Sequence, residues 1–297
     1  MQKSKRVCIP ISWACNSKCI FCMDDWNLAS FVTIEDITEK LTQAKIYGDE
    51  VTFSSLEPTL HHKLNEIVEI AKKMWFERIE IVTNWRKLKD YDYAESLIKS
   101  WINEFDISLH SYEAEKHDYI VRSKWAYNEW ITWLINVVKL SKKYDIVNSV
   151  SVTVCKQNYK DIYKIVYFLE KFNLWNIILN ILQPKNHAEE NKDLTFVNYS
   201  LMIAEFLKLK ELQNKYNNIY INWLVPCLEE NLKDIIWYFN WAQINNKDEK
   251  WNYIVEYDPF KQKRKECEKC KYNNICDWVW NSYIKKFWWE EFIPVTK

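Results

Sequence analysis

Length, composition and charge set the first limits on this chain. Its 297 residues can bury a large core, and one barrel-type domain with a small appendage is normal at this size. Because 41 Lys and Arg balance 41 Asp and Glu, no overall field draws the protein toward nucleic acid or an anionic membrane. A signal peptide and long apolar segments are absent from the sequence. We therefore expect a cytoplasmic protein with a small or neutral substrate, or with a local docking patch.

Short β-rich segments alternate with longer amphipathic ones, which is typical of successive βα units and a parallel sheet. The predicted strands are 6–12, 50–54, 78–83, 104–110, 148–154 and 176–182. The predicted helices between them are 33–47, 62–74, 93–100, 126–143 and 159–172. This repetition predicts an α/β fold with a partial (β/α)6 barrel of the TIM type. In such barrels, functional groups gather at the carboxyl ends of the strands.

The pattern changes after Pro184. A long helix is predicted at about 196–216, and a polar, aromatic region rich in Asn, Lys and Glu follows it. We predict a barrel core at 1–186, a connecting helix at 187–217 and a small C-terminal extension at 218–297.

The chain has a single glycine, Gly48, beside 17 tryptophans. Average usage of about 7% predicts roughly 21 glycines at this length. Some tryptophans occupy positions where glycine is common: Trp75 follows a helical segment, Trp85 follows an asparagine at a strand end, and Trp175 separates a helix from a strand. We hypothesise that the gene reads UGA as glycine and that most of these tryptophans stand for glycine. The alternative is a truly Trp-rich protein, which UGG codons at most of these positions would support.

A cluster of cysteines follows the first predicted strand. Cys15, Cys19 and Cys22 have the spacing CxxxCxxC, with Phe21 before the last cysteine. Without a secretory signal, such clustering is better explained by metal ligation than by disulfides. Three thiolates on one loop can bind three irons of a cubane and leave the fourth iron open. The alternative is a three-cysteine zinc site completed by a histidine or a distant cysteine, although structural zinc sites usually pair CxxC motifs.

The loop resembles the signature of the radical S-adenosylmethionine superfamily. The resemblance implies a [4Fe–4S] cluster on these cysteines, with S-adenosylmethionine bound to the open iron. One electron then cleaves S-adenosylmethionine to methionine and a 5′-deoxyadenosyl radical, which takes a hydrogen atom from the substrate. The resemblance also implies that Phe21 lies near the adenine, and that a reductase, flavodoxin or ferredoxin supplies the electron.

Later strand ends match the same family in order. The segment 55–58, Ser-Leu-Glu-Pro, resembles the Gly-Gly-Glu-Pro segment that holds the amino end of S-adenosylmethionine, but Ser and Leu replace both glycines. A plain strand-to-helix turn is the alternative there. The segment 83–85, Thr-Asn-Trp, resembles Thr-Asn-Gly of the third strand, and 107–110, Ile-Ser-Leu-His, the fourth-strand end. The resemblance implies cofactor or substrate contacts for Ser55, Leu56, Glu57, Pro58, Asn84, Ser108 and His110.

A second cysteine cluster lies near the C-terminus. Cys267, Cys270 and Cys276 have the spacing CxxCx5C, which resembles the core of the SPASM and Twitch extensions that carry auxiliary Fe–S clusters in this superfamily. A SPASM domain would have another cysteine at Trp280, so a single-cluster, Twitch-like extension fits better. Cys227 is the natural fourth ligand. The alternative is tetrahedral zinc on the same four thiolates.

The substrate is less well defined than the chemistry. The resemblance extends to peptide-modifying maturases and to the molybdenum-cofactor cyclase group, but the chain lacks that cyclase's usual C-terminal Gly-Gly and its full second cysteine set. We expect a peptide substrate, and neither a membrane nor a nucleic-acid partner. The alternative is a non-catalytic Fe–S- or zinc-binding or electron-transfer protein on a degenerate barrel, which the altered segment 55–56 favours.

Overall fold

The computed structural model describes residues 6–24, 29–172, 174–213, 218–237, 241–247, 253–255, 260–276 and 278–296. The strands in these segments are β1 Arg6–Pro10, β2 Glu50–Ser54, β3 Arg78–Thr83, β4 Glu104–Ser108, β5 Val147–Val154, β6 Asn176–Ile181, β7 Ile219–Asn222, β8 Ile236–Trp237, β9 Trp241–Lys247, β10 Tyr253–Val255, β11 Lys261–Gln262 and β12 Val279–Trp280. The α-helices are α1 Ile34–Tyr47, α2 Leu64–Lys73, α3 Tyr91–Lys99, α4 Ala114–Val121, α5 Ala126–Ser141, α6 Ile162–Leu169, α7 Asn186–Glu190, α8 Lys192–Thr195, α9 Tyr199–Gln213 and α10 Asn281–Phe287.

One large sheet organises the fold. Its strand order is β10-β9-β1-β2-β3-β4-β5-β6-β7-β8, with parallel pairing throughout except between β9 and β10. The sheet curls into a partial barrel, which confirms the predicted α/β fold. All six predicted strands are present as β1–β6. Four more strands, from the region after residue 217, extend the same sheet at its two edges.

Each core strand buries alternate side chains against the surrounding helices. Residues such as Val7, Phe53 and Ile107 are fully buried, and they pack with helix residues such as Leu41 and Val68 in one core. Because successive side chains of a strand point to opposite faces, the residues between them face the concave side of the sheet. The described helices therefore pack against the convex side.

All six predicted helices are present, and four short ones are additional among the described residues. The long C-terminal helix corresponds to α9, which begins three residues later than expected. The sequence pattern did not predict α4, α7, α8 or α10, since each has at most eight residues and so shows little periodicity. Among the described helices, none combines the length and apolar character needed to cross a membrane.

Seven tryptophans in the described part of the chain have left-handed backbone conformations, with φ between 60° and 101°: Trp75, Trp85, Trp101, Trp125, Trp223, Trp278 and Trp288. A residue with a Cβ pays about 1–2 kcal/mol in this region, which glycine enters freely. Trp175, also suggested by the sequence, is not among them. Gly48 is extended, at φ −177°.

Two of these tryptophans close helices as glycine does. At the end of α2, the N–H of Trp75 donates to the carbonyl of Lys72, and that of Phe76 to the carbonyl of Ala71. At the end of α3, the N–H of Trp101 donates to the carbonyl of Ile98, and that of Ile102 to the carbonyl of Leu97. This is the Schellman motif, whose left-handed C′ position is usually glycine. The backbone thus supports the hypothesis that the gene encodes glycine here.

Candidate active site

The cysteine loop follows β1 and is held from three sides. The N–H groups of Lys18 and Ile20 donate to the carbonyls of Val121 and Ile120 at the end of α4. On another side, the N–H of Glu57 donates to the carbonyl of Ala14 at 3.0 Å. Backbone groups of the loop are thereby fixed at the carboxyl ends of the core strands.

The third support comes from α7 and the residue after it. Asn186 Nδ2 donates to the carbonyl of Met23 at 2.6 Å, and Asn191 Nδ2 to that of Ile20 at 3.3 Å. The N–H of Ala188 donates to the carbonyl of Cys22 at 3.1 Å. The segment predicted as a connecting helix therefore begins with residues that contact the cysteine loop.

The three thiols interact electrostatically with one another. Burial, and next the charge of Glu57, raises the pKa of Cys15 to about 11. Burial, and next the neighbouring Cys22 and Cys15, raises the pKa of Cys19 well above its ordinary value. Thiolates so placed repel each other, and bound metal would reverse this effect because metal binding deprotonates thiols. The donor set therefore fits a cationic cluster.

In the described part of the chain, no three Cys, His, Asp or Glu side chains are gathered so as to hold a metal ion. A [4Fe–4S] cubane does not need its cysteines to converge on one ion, because each cysteine binds a separate iron. Ligation by Cys15, Cys19 and Cys22 stays a prediction.

Glu57 links two strand ends to the loop. It is fully buried, and its Oε1 accepts hydrogen bonds from Thr59 N at 3.0 Å, Thr59 Oγ1 at 2.5 Å and Thr83 Oγ1 at 2.6 Å. Its Oε2 accepts the N–H of Asn84 at 2.7 Å. Burial raises the pKa of Glu57, and these donors act against the rise. In this structure both oxygens of the Glu57 carboxylate thus accept hydrogen bonds from residues of the protein, at the ends of β2 and β3.

Asn84, positioned by Glu57, reaches the cysteine loop. Its Nδ2 lies 3.6 Å from Cys15 Sγ and donates to Asn16 Oδ1 at 2.7 Å. The N–H of Ser17 also points at Cys15 Sγ, at 3.4 Å. Such hydrogen bonds to a ligand sulfur orient it and tune the metal it binds.

The segment that replaces Gly-Gly keeps a glycine-like backbone. Ser55 has φ 74° and Leu56 has φ 45°, so both adopt the left-handed conformation despite their side chains. Asp24 compensates, since its carboxylate accepts the N–H of Leu56 and lies 3.4 Å from Ser55 Oγ. Pro58 follows and begins a short 3-10 helix. Asp24 was not predicted from the sequence, where only its place two residues after Cys22 could have indicated it.

His110 is a buried, neutral histidine beside Phe21. Burial, and next His117, lowers its pKa well below the ordinary value. Its Nδ1 accepts the N–H of Thr153 at 3.2 Å, so Nε2 carries the proton. The Phe21 ring meets His110 edge-on, with 4.7 Å between centroids. The two residues form one aromatic surface above β4, the strand that carries the half-buried Ser108.

The concave side of the sheet is mostly polar. Its residues include Cys8, Thr52, Ser54, Glu80, Asp106, Ser108, Ser149, Ser151, Thr153, Asn176, Asn180 and Asn222. Filled TIM barrels place large branched apolar residues here, so this interior suits a polar ligand. The sequence signal is the alternation in β2 (Glu-Val-Thr-Phe-Ser) and β4 (Glu-Phe-Asp-Ile-Ser), because strands buried on both faces are apolar throughout.

The four C-terminal cysteines share one neighbourhood. Burial raises the pKa of Cys227 to about 12, and the next causes are Cys276, Cys270 and Cys267. The strands β11 and β12 form a small antiparallel sheet on either side of the last three cysteines in the chain. Tyr272 Oη donates to Glu230 Oε1 at 2.5 Å, which joins this region to the segment after Cys227.

The model of the Radical SAM superfamily matches residues 9–169, more than half of the chain. The chain belongs to the Radical SAM superfamily. The resemblance of the cysteine loop is thereby confirmed at the level of the family. Curated relatives include a "Probable GTP 3′,8-cyclase" from Methanocella arvoryzae, 29% identical over 119 residues, 39% of this chain and 38% of the relative.

Another curated relative is the 7,8-dihydro-6-hydroxymethylpterin dimethyltransferase of Methanocaldococcus jannaschii. It is 24% identical over 214 residues, 69% of this chain and 41% of the relative. The chain thus aligns with less than half the length of these curated relatives.

Solved structures share the radical SAM fold across nearly the whole chain. SuiB of Streptococcus suis, bound to precursor peptide SuiA, superposes with a TM-score of 0.70 at 15% identity, covering 97% of this chain and 74% of SuiB. Native anSMEcpe with bound AdoMet and Cp18Cys peptide superposes with a TM-score of 0.65 at 15% identity, covering 97% and 96% of the two chains. At these identities the likeness establishes the fold.

Proposed function

We propose that the chain binds a [4Fe–4S] cluster through Cys15, Cys19 and Cys22 and cleaves S-adenosylmethionine reductively, so that the resulting 5′-deoxyadenosyl radical takes a hydrogen atom from a substrate. The cluster, when bound, supplies the electron for this cleavage. One observation carries the proposal: the cysteine loop is fixed next to the 55–58 turn and Asn84, at the carboxyl ends of β1–β3.

The residues around the loop have separate tasks in this proposal. Asn84 orients Cys15, and Glu57 orients Asn84. The left-handed turn at Ser55 and Leu56, stabilised by Asp24, leaves backbone groups for the amino end of S-adenosylmethionine. Phe21 provides a surface for the adenine. The protonated Nε2 of His110 is a neutral donor for the cofactor or substrate.

A peptide is the proposed substrate. The support is the structural likeness to SuiB with its precursor peptide and to anSMEcpe with its peptide, together with a polar concave surface that can bind peptide groups. A reductase, flavodoxin or ferredoxin is the proposed electron donor.

A purine nucleotide is the second candidate substrate, because several relatives are named "Probable GTP 3′,8-cyclase". A triphosphate needs uncompensated cations, and Arg is its usual partner. On β1–β4 the concave arginines are Arg6 and Arg78, and both pair with glutamates. The charge of this surface therefore favours the peptide.

We also propose that Cys227, Cys267, Cys270 and Cys276 bind an auxiliary Fe–S cluster. Their shared neighbourhood supports a common metal site, and tetrahedral zinc is the alternative occupant. Iron, sulfide and zinc analysis of protein purified without oxygen distinguishes the two. About four irons above the first cluster support the Fe–S assignment, whereas one zinc contradicts it.

Anaerobic reconstitution followed by product analysis tests the main proposal. With S-adenosylmethionine and dithionite, the wild type should produce 5′-deoxyadenosine. Cys22→Ala should abolish production and lose the cluster absorbance, whereas Cys155→Ala, which removes a buried thiol outside the ligand set, should retain both. An intact cluster without 5′-deoxyadenosine would favour a non-catalytic Fe–S or electron-transfer protein. Full cleavage by Cys22→Ala would contradict the ligand assignment.

A further inference from the structure

A network of paired charges lines the concave side near the amino ends of the strands. Arg6, at the start of β1, bonds to Glu50 and Glu80 at 3.0 Å each and to Glu104 at 2.6 Å. Arg78 pairs with Glu104 as well, and Thr52 Oγ1 donates to Glu80 Oε2 at 2.6 Å. The charged groups at this end of the sheet are thus paired with one another.

Asp106 lies on β4 two residues nearer the carboxyl end than Glu104, and so above this network. Its Oδ2 accepts a hydrogen bond from Ser151 Oγ at 2.7 Å, and the backbone N–H of Ile107 also points at the carboxylate. Its Oδ1 is buried and has no hydrogen-bond partner in the described structure. A buried carboxylate oxygen without a donor is costly and therefore rare in native proteins.

A second buried acceptor lies on the same concave side. Asn222, at the end of β7, is 5% exposed. Its Nδ2 donates to Asn180 Oδ1 at 2.6 Å, and its Oδ1 is likewise buried without a partner. Each of these two oxygens, on β4 and β7, would be satisfied by a ligand that brings hydrogen-bond donors to the concave side.

The negative charge around Asp106 favours a cationic hydrogen-bond donor. Four carboxylates, of Glu50, Glu80, Glu104 and Asp106, line this side of β2–β4, against the guanidinium groups of Arg6 and Arg78. Burial, and next Glu80, raises the pKa of Asp106 to about 7, and Arg6 lowers it only in part. A cation bound at Oδ1 would offset both causes of the rise.

We propose that Asp106 binds a protonated amine or guanidinium of the substrate inside the barrel, with Asn222 as a further acceptor. This inference rests on the proposed function for the identity of the substrate, which would then be a peptide that inserts a lysine or arginine side chain. The polar groups of β5 and β6 would line the path of that side chain from the carboxyl ends of the strands.

Thermal unfolding with small probes tests this site independently of S-adenosylmethionine cleavage. The probes are n-butylammonium chloride, methylguanidinium chloride and sodium butyrate at 20 mM, each compared with sodium chloride at equal ionic strength, on the anaerobically reconstituted protein. For a millimolar dissociation constant, either cation should raise the midpoint of the wild type by about 2 °C. Butyrate should not raise it.

Variants locate the effect. Asp106→Asn should lose the response to both cations, and Asp106→Glu, which keeps the charge, should retain part of it. Asp145→Asn makes the same chemical change at an exposed position and should respond like the wild type. Equal responses of Asp106→Asn and wild type, or a larger response to butyrate, would overturn the inference. Cation binding without 5′-deoxyadenosine production would instead count against the proposed function alone.

Discussion

The N–H of Asn84 donates to Oε2 of Glu57 at 2.7 Å, and this bond connects the ends of β2 and β3 to the cysteine loop. The amide of Asn84 then reaches Cys15 Sγ. A carboxylate in the position of a family motif therefore acts on Cys15, a predicted cluster ligand, through the intermediate residue Asn84.

Replacing Glu57 with Gln should destabilise the protein. All four donors around Glu57 donate to its carboxylate oxygens. The amide nitrogen of Gln, itself a donor, must face at least one of them, which costs about 1–3 kcal/mol in the free energy of unfolding. Urea unfolding measures this cost, and Glu69→Gln, at an exposed position of α2, is the matched control. Equal stability of the two variants would show that the four bonds contribute little.

Asn84→Ala should leave the fold intact and impair the cluster. The variant loses the donor to Cys15 Sγ, and loss of such a partner typically costs 10–100-fold in metal affinity or activity. The rate of cluster bleaching by a chelator and the yield of 5′-deoxyadenosine measure the effect. Asn65→Ala removes an amide that donates to Ser96 Oγ, away from the cysteine loop, and it should behave as the wild type does. A chelation rate unchanged by Asn84→Ala would contradict the role of this amide.

Glycine should stabilise the chain at left-handed tryptophans. Trp75 is 83% exposed with φ 64°, so Trp75→Gly removes backbone strain of about 1–2 kcal/mol against a smaller entropic cost. We expect a gain of about 1 kcal/mol in the free energy of unfolding. Trp75→Ala keeps a Cβ and should gain little, and Trp175→Gly, at a position without positive φ, should lose stability. A gain at Trp175 equal to that at Trp75 would refute the conformational explanation.

Asp106 should make stability fall as pH rises from about 4 to 7. Its pKa is raised from 3.8 to about 7 in the folded protein, so in this window the native state binds more protons than the unfolded state. The slope of unfolding free energy against pH is then negative. Asp106→Asn removes this contribution. The free energy of unfolding of the variant, measured with urea, should therefore rise relative to that of the wild type between pH 5 and pH 8. A constant difference between the two proteins would mean that the pKa is not raised.

The sequence predicted the elements whose signal is local. The strands β1–β6 and the cysteine loop were recognisable because alternation and cysteine spacing lie within a few residues. The contact of Asp24 with Leu56 and that of Asn186 with Met23 were not, since each depends on how distant segments pack. The polar concave side was encoded in the alternation of β2 and β4, yet its meaning depends on the helices covering one face only.

The supports of the cysteine loop also constrain when it can be completed. Asn186 and Asn191 hold carbonyls of the loop that lie 163 and 171 residues earlier in the chain. During synthesis the cysteines emerge long before these partners, and such long-range contacts form late in folding. We therefore expect the thiols to remain exposed to oxidation or to binding of other metals until Asn186 and Asn191 have packed against the loop.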